Sequence, residues 1–349
     1  SKHSASAIVK QIEEENEEAP EGVEKTSPDE PWLQGAKLFA GTSWLFARNE
    51  FREQLDYLII DEAGQVSLAN VVAMGTSAKN IVLVGDQMQL AQPIKGTHPG
   101  ESGTSGLVFL LGDNRVIPPD QGIFLDTTWR LHPDICNFVS HAFYDGKLKA
   151  HPLTKKRSLV LTNASLPSAG IRMVLSEHRG CIQKSIEEGE IVESHYAELL
   201  KQQVQDVGSD GTLQPLESIG EKDILVVTPY NAQDVYLRTI LPDDSKIGTV
   251  DKFQGQEEQV VLISMVTSTS EDIPRNMEFL YSRNRLNVAL SRAKCLSVIV
   301  LNPSLLDAPC RSIEQMKLVN SFCWLESYSD ALLSGNELKF GIPLEMGLG

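Results

Sequence analysis

The sequence of 349 residues has no excess of positive charge: Asp and Glu number 47 against 31 Lys and Arg, and the net charge is −16. A diffuse basic footprint is therefore absent. A nucleic-acid partner would need a narrow basic groove on an acidic body. No apolar run approaches the ~18 residues of a membrane span, and no leader with a charged start and an apolar middle opens the chain. None of the five cysteines (Cys136, Cys181, Cys295, Cys310, Cys323) stands in a Cys-x-x-Cys pair. That spacing disfavours a thiolate metal site, and the odd count fits a reducing compartment. A cytoplasmic location without membrane contact is the expectation.

Large apolar residues are scarce at the start. Residues 1–34 hold 9 acidic side chains against 3 lysines. Such a stretch buries no core of its own and reads as an acidic linker or disordered segment, with a short helix admissible over Ile8–Glu18. From Lys37 the texture changes. Apolar runs recur at Leu55–Ile60, Asn80–Gly85, Gly122–Asp126, Asp223–Tyr230, Gln259–Val266 and Leu296–Leu301. Their continuous rather than alternating character suggests strands covered on both faces. Between them, Glu187–Val204 repeats apolar residues at helical intervals, and Phe138, Ala142 and Phe143 begin a second such face. Alternating strands and helices predict an α/β fold with mainly parallel sheets, whose functional groups gather at the carboxyl ends of the strands. Pro118–Pro119 is a candidate hinge, Gln205–Glu221 a surface loop, and residues 326–349 a tail.

The strand ends carry the chemistry. "LIIDEAGQ" closes an apolar run with Asp61 and Glu62, followed by Gln65. A carboxylate at a strand tip can hold magnesium, and a second beside it can orient or deprotonate a water. The alternative is a polar helix start favoured by the helix dipole. "IVLVGDQMQL" ends the next run in Asp86, Gln87 and Gln89, and such a glutamine can sense a γ-phosphate. Arg130, in "TTWRLHP", offers a planar fork suited to phosphate oxygens, with an ordinary surface arginine as the alternative. "GTVDKFQGQE" places Gln254, Gly255, Gln256 and Glu257 just before a strand, and "RLNVALSRAK" puts Asn287 and Arg292 on an expected helix.

Taken in order, these pieces resemble superfamily 1 helicases of the Upf and DNA-replication-helicase branch. "DEAGQ" is similar to motif II, "GDQMQL" to motif III, "WRLHP" to motif IV, "GTVDKFQGQE" to motif V and "NVALSRAK" to motif VI. "FAGTSWLFAR" and "VVTPYNAQ" resemble two further segments of that family, and the resemblance spans about Lys37 to Pro303. The extended "GDQMQLAQPIKGTHP" is similar to bacterial proteins that fuse a RecB-like nuclease to such a helicase.

The resemblance implies a motor of two RecA-like domains of P-loop NTPase type, binding ATP between them and single-stranded nucleic acid across them. The first would be truncated (residues 35–119) and the second complete (residues 120–325). The implied cofactors are ATP and Mg2+. Asp61 takes the metal role, Glu62 the water, Gln89 the γ-phosphate sensor, and Arg130 and Arg292 the arginines that reach the γ-phosphate. Gln65, Asp86, Gly255 and Glu257 join the nucleotide-binding set, with Glu257 on the ribose. Thr42, Pro93, Thr228, Thr249 and Asn287 follow the nucleic-acid track or its coupling, DNA ahead of RNA. Two departures stand out. Trp129 replaces the usual Tyr before the motif IV arginine, and Gln92 displaces Pro93.

One part is missing. G-x-x-x-x-G-K-[ST], whose amides and lysine cradle phosphates, occurs nowhere in the chain. The only Gly-Lys is Gly146-Lys147, followed by Leu148. The implied reading is the carboxyl-terminal portion of a longer helicase, inactive alone and completed by an upstream RecA-like region that could carry a RecB-like nuclease. The rival is a non-catalytic single-strand-binding module, with Trp44, Tyr230 and Phe253 as stacking aromatics unless they belong to the core.

Overall fold

The computed structural model describes residues 8–11, 23–26, 37–90, 98–162, 165–208, 210–253, 255–273 and 277–335. The chain divides into two compact units, residues 1–87 with 91–113 and residues 88–90 with 114–349. The division at 113/114 falls a few residues before the expected hinge at Pro118–Pro119.

In the first unit, β1 (Ile8–Gln11), β2 (Val23–Thr26) and β3 (Leu38–Ala40) form a parallel sheet in the order β2-β1-β3. Two of these strands lie inside the segment expected to be a linker. Ile8–Gln11 is extended where a helix was expected to begin, in keeping with its Ile-Val start; the rest of Ile8–Glu18 lies outside the described residues. Next come α1 (Ser43–Phe46), β4 (Leu55–Ile60), α2 (Leu68–Gly75), β5 (Ala78–Leu83) and α3 (Gly106–Leu111). β4 and β5 pair in parallel, from Leu55↔Ala78 to Ile60↔Leu83. β5 starts and ends two residues earlier than the sequence suggested, because Val84 and Gly85 pack on the loop after β4. Ser67 and Ser105 cap α2 and α3, each hydroxyl accepting a backbone N–H three residues on.

The second unit opens with β6 (Thr127–Thr128), α4 (Pro133–Phe143), β7 (Lys149–Ala150) and β8 (Ser158–Val160). β9 (Gly170–Leu175), α5 (Ile186–Leu199), β10 (Gln203–Gln205), β11 (Glu217–Ser218), β12 (Ile224–Thr228) and α6 (Asn231–Ile240) follow. β13 (Lys246–Thr249), β14 (Glu258–Ser264), α7 (Met277–Leu280), α8 (Arg283–Leu290), β15 (Ala293–Leu301) and α9 (Ile313–Ser334) complete it. The central sheet is parallel throughout, in the order β13-β12-β14-β15-β9.

Two cores flank this sheet, and its strand residues alternate between them. Leu225, Val227, Val261, Ile263 and Ile299 face one core with Phe138, Phe143 and Phe322. Ile224, Val226, Val260, Leu262 and Val298 face the other with Val192, Tyr196 and Leu237. Burial on both faces explains the continuous apolar runs.

Three expectations are corrected. Gly122–Asp126 is not a strand: Ile123 and Leu125 are 86% and 80% exposed. Phe124 between them is half-buried against Tyr144 and the core, so the run lies on the core by one face without joining a sheet. The helix expected over Glu187–Val204 stops at Leu199, and Val204 belongs to β10, which pairs antiparallel with β8. The tail expected from residue 326 continues α9 to Ser334, anchored by the Tyr328 hydroxyl donating to the Asp134 carbonyl at 2.6 Å.

Candidate functional site

The first unit builds its site on the loop after β4. Asp61 and Glu62 stand at the strand's carboxyl end and are exposed. The Asp61 carboxylate accepts the Glu62 N–H at 2.9 Å, and Gln65 donates to the Glu62 carboxylate at 3.3 Å. Glu62 has φ 49° and ψ 40°, the left-handed region that a residue with a Cβ seldom enters. Glu53 and Asp145 share that positive φ, so at Glu62 it marks the tight turn that ends β4.

Two glycines explain how this loop is held. A Cβ on Gly64 would lie 2.6 Å from the Asp86 carbonyl oxygen, and one on Gly85 would lie 2.7 Å from the Ala63 nitrogen. The loops after β4 and β5 therefore touch backbone to backbone, with the Ala63 N–H donating to the Val84 carbonyl at 2.9 Å. Asp86 is half-buried beside them. Thr42 is half-buried at the N-cap of α1, and Trp44 is 80% exposed. Pro93 lies outside the described residues.

Among the described residues no cluster of three or more metal-ligating side chains occurs. A single exposed carboxylate such as Asp61 fits a magnesium ion that takes its remaining ligands from phosphate and water.

In the second unit, Arg130 and Glu257 meet although 127 residues separate them: the Arg130 Nε donates to Glu257 Oε2. Lys294 Nζ lies 3.3 Å from the other oxygen, Oε1. Partial burial pushes the Glu257 carboxyl up, but the Arg130 guanidinium and the Lys294 ammonium hold it below the usual carboxylate range. Glu257 thus spends both oxygens on cations, where the resemblance implied a ribose contact. Lys294 escaped the sequence reading; its signal was its place directly after Arg292-Ala293. Gly255 has φ 79° with open space around it, a turn that favours glycine. Gln254 lies outside the described residues.

Arg292 follows α8 rather than lying on it. It is 3% exposed, and its guanidinium donates to the carbonyls of Val288 (3.2 Å) and Gln256 (3.1 Å). Here it ties α8 to the turn before β14.

Asn287 is buried. Its amide donates to the Met88 carbonyl at 2.9 Å and to the Tyr144 hydroxyl at 2.8 Å. Asn284 donates to the Gln89 carbonyl at 2.6 Å. The Met88–Leu90 segment, carrying the expected sensor Gln89, is thereby seated on α8 within this unit. Thr228 is fully buried with its hydroxyl unpartnered among the described residues, so it presents nothing to a strand in this conformation. Thr249 is half-buried at the end of β13. Tyr230 and Phe253 belong to the core, which leaves Trp44 as the exposed stacking candidate of the three.

The parallel sheet of the second unit, covered on both faces, fits the RecA-like architecture of P-loop NTPases. Residues 110–304 match the model of a family described as an AAA domain, and residues 1–95 match a second model of that description. That second match runs through the segment expected to be a linker. DNA polymerase alpha-associated DNA helicase A of Saccharomyces cerevisiae is 31% identical over 276 residues, 72% of this chain and 39% of that protein. The regulator of nonsense transcripts 1 homolog of Drosophila melanogaster is 28% identical, over 73% of this chain and 21% of that protein. The DNA replication ATP-dependent helicase/nuclease dna2 of Schizosaccharomyces pombe is 28% identical, over 78% of this chain and 20% of that protein. The chain belongs to the AAA-domain family of superfamily 1 helicases, and it spans well under half the length of these relatives. Among the described residues no helix is long and apolar enough to cross a membrane.

Proposed function

We propose that this chain is the motor portion of an ATP-dependent helicase or translocase acting on single-stranded nucleic acid, with DNA ahead of RNA. The observation that carries the reading is the loop after β4, where Glu62 is held left-handed beside Asp61 and within reach of Gln65. In this reading Glu62 orients and deprotonates the attacking water, and Gln65 steadies its carboxylate. Asp61 would hold magnesium, whose charge offsets that of the phosphates. Arg130 leaves Glu257 for the γ-phosphate, where a planar fork stabilises the charge of the transferring group. Gln89 senses that phosphate, and Asn284 and Asn287 hold its segment. Asp86 and Gly255 border the nucleotide, and Arg292 braces the turn that carries Gly255. Thr42 and Thr249 lie on the nucleic-acid side, with Trp44 as a stacking platform. The DNA preference is supported by two of the relatives, a DNA polymerase alpha-associated DNA helicase and a DNA replication helicase/nuclease.

The sequence contains no phosphate loop, so the 349-residue chain alone is expected not to hydrolyse ATP. A longer polypeptide supplying that loop ahead of the chain should hydrolyse ATP, faster with single strands, and lose this with Glu62→Gln. Hydrolysis unchanged by Glu62→Gln refutes the assignment. Steady-state hydrolysis by the chain alone, abolished by Glu62→Gln, refutes its dependence on a further segment.

A second reading, a non-catalytic single-strand-binding module, is favoured by the exposure of Trp44 alone. It predicts single-strand affinity that falls steeply with salt and with Trp44→Ala, and no ATP hydrolysis in the longer polypeptide.

A further inference from the structure

Arg157 has no place in the motifs above, yet it bonds the segment that carries Arg130. Its Nη1 donates to the Trp129 carbonyl at 2.9 Å and to the Arg130 carbonyl at 2.5 Å. Its Nε donates to Asp206 Oδ1 at 2.6 Å. The Asp206 carboxylate is fixed in turn. Oδ1 accepts the Val207 N–H at 2.6 Å, Oδ2 accepts the Gln259 amide at 2.7 Å, and the Cys295 thiol donates to the Gln259 carbonyl oxygen at 3.2 Å. The Arg157 side chain is only 13% exposed. The path runs from β14 and β15 of the central sheet, through a carboxylate and a guanidinium, to the two carbonyls that flank the Arg130 nitrogen. Arg157 also walls a cavity of 290 Å³ with Trp129, Leu153, Thr154, Val207 and Gly208, and on its far side Trp129 stacks on His151 at 3.4 Å.

We infer that Arg157, anchored by Asp206, is the positioning residue for the Trp129–Arg130 segment: it fixes the backbone from which the Arg130 guanidinium is presented. The inference rests on the reading of Arg130 as the γ-phosphate arginine. The physical argument is directional. The segment around Arg130 is irregular, with Thr127–Thr128 as its only strand. An irregular segment leaves carbonyls without ladder partners. A guanidinium can satisfy two carbonyls and a carboxylate at once because its donors lie in one rigid plane. A lysine ammonium has no such fork. Sequence reading misses the pair because Arg157 and Asp206 stand 49 residues apart.

The test has two arms. In the 349-residue chain labelled with 15N-arginine, the Arg130 Nε–H signal, assigned through Arg130→Lys, reports the Arg130–Glu257 pair. Arg157→Gln and Asp206→Asn should each shift or broaden it beyond detection and speed amide exchange across residues 129–132, while Asp206→Glu restores both. In the ATP-hydrolysing longer polypeptide, Arg157→Gln should lower kcat about tenfold to a hundredfold, the scale of a small misplacement of a catalytic group. KM for ATP and single-strand affinity should stay within about twofold on the same reasoning.

An unchanged Arg130 signal in both variants overturns the inference whatever the enzyme does. A changed signal with unchanged kcat also overturns it, because the clamp would then be only structural. A wild-type polypeptide without ATP hydrolysis refutes the proposed function instead, and the clamp is judged on the first arm. Should Arg157→Gln fail to fold, Asp206→Asn carries both readouts.

Discussion

Glu188 is fully buried on α5, and its carboxylate serves three partners. His178 Nε2 lies 3.1 Å from Oε1, while Oε2 accepts the Ser264 hydroxyl at 2.7 Å and the Val266 N–H at 2.8 Å. Val266 has φ 75°, a conformation a β-branched residue rarely adopts. The carboxylate therefore holds a strained backbone just past β14. In Glu188→Ala the Val266 amide and His178 Nε2 lose their partner, while the Ser264 hydroxyl can rotate. With ~1–3 kcal/mol for each buried group left unpaired, the loss should be about 4 kcal/mol. Relief of the strain at Val266 would return part of that, to a limit of ~1–3 kcal/mol. The net loss is then ~1–3 kcal/mol; for a unit of this size ~1 kcal/mol moves Tm by ~2–4 °C, so the second unit's transition should fall by roughly 2–12 °C. Glu188→Gln keeps an oxygen for Ser264 and Val266. Its amide can donate to His178 once the ring proton moves to Nδ1, which then donates to Ser268, 2.8 Å away. That variant should lose only about 1–2 kcal/mol. Scanning calorimetry of the three proteins decides the matter. A Glu188→Ala transition within 2 °C of wild type, by the ~2–4 °C scale above, would show that the network does not hold Val266 and that the reasoning is wrong.

The other predictions concern packing, thiols and pH. Gly64→Ala and Gly85→Ala each push a methyl into backbone and should destabilise the first unit by about 1–3 kcal/mol in urea titrations; wild-type midpoints would refute the close approach. Burial pushes the Cys136 and Cys295 thiols up to about 12. Ellman's reagent on the native chain should spare both while reaching Cys181, which is not buried, and rapid reaction of five thiols would refute that burial. The Glu257 carboxyl is held below its unfolded value of ~4.3, so its contribution is present above that pH and lost as pH falls through the folded value. Glu257→Gln should reduce the difference in urea midpoint between about pH 6 and about pH 3, and an identical difference in both proteins would rule the effect out.

β12, β14 and β15 were legible because each is sandwiched between two cores, which demands uninterrupted apolar residues. β9 was not, because Arg172 interrupts Gly170–Leu175 at the sheet's edge. Local sequence placed Asp61 and Glu62 at the tip of a strand, an apolar run followed by two acids and small residues, and that is where they stand. The second unit's chemistry was harder to read because it is non-local. Nothing near Arg130 signals that Glu257 will meet it, or that Arg157 will hold its carbonyl. The resemblance implied a nucleic-acid-side role for Thr228, and its full burial in this conformation could not be read from the segment around it. Arg292 was assigned to a helix and, through the resemblance, to the γ-phosphate; its bonds to the carbonyls of Val288 and Gln256 are a tertiary feature with no local signal.

The two-stranded sheet of β4 and β5 has a practical consequence. Tyr57 and Ile59 are 66% and 65% exposed, and Ile81 and Val82 are 43% and 42% exposed. Apolar parallel strands of this kind are templates for pairing with other chains. What opposes such pairing in solution is mutual repulsion between molecules that each carry a net charge of −16. The chain should therefore be a well-behaved colloid in dilute neutral buffer and a poor one in high salt or mild acid, where screening or protonation removes that repulsion. Concentration for crystals or spectra is best attempted at low ionic strength and above neutral pH.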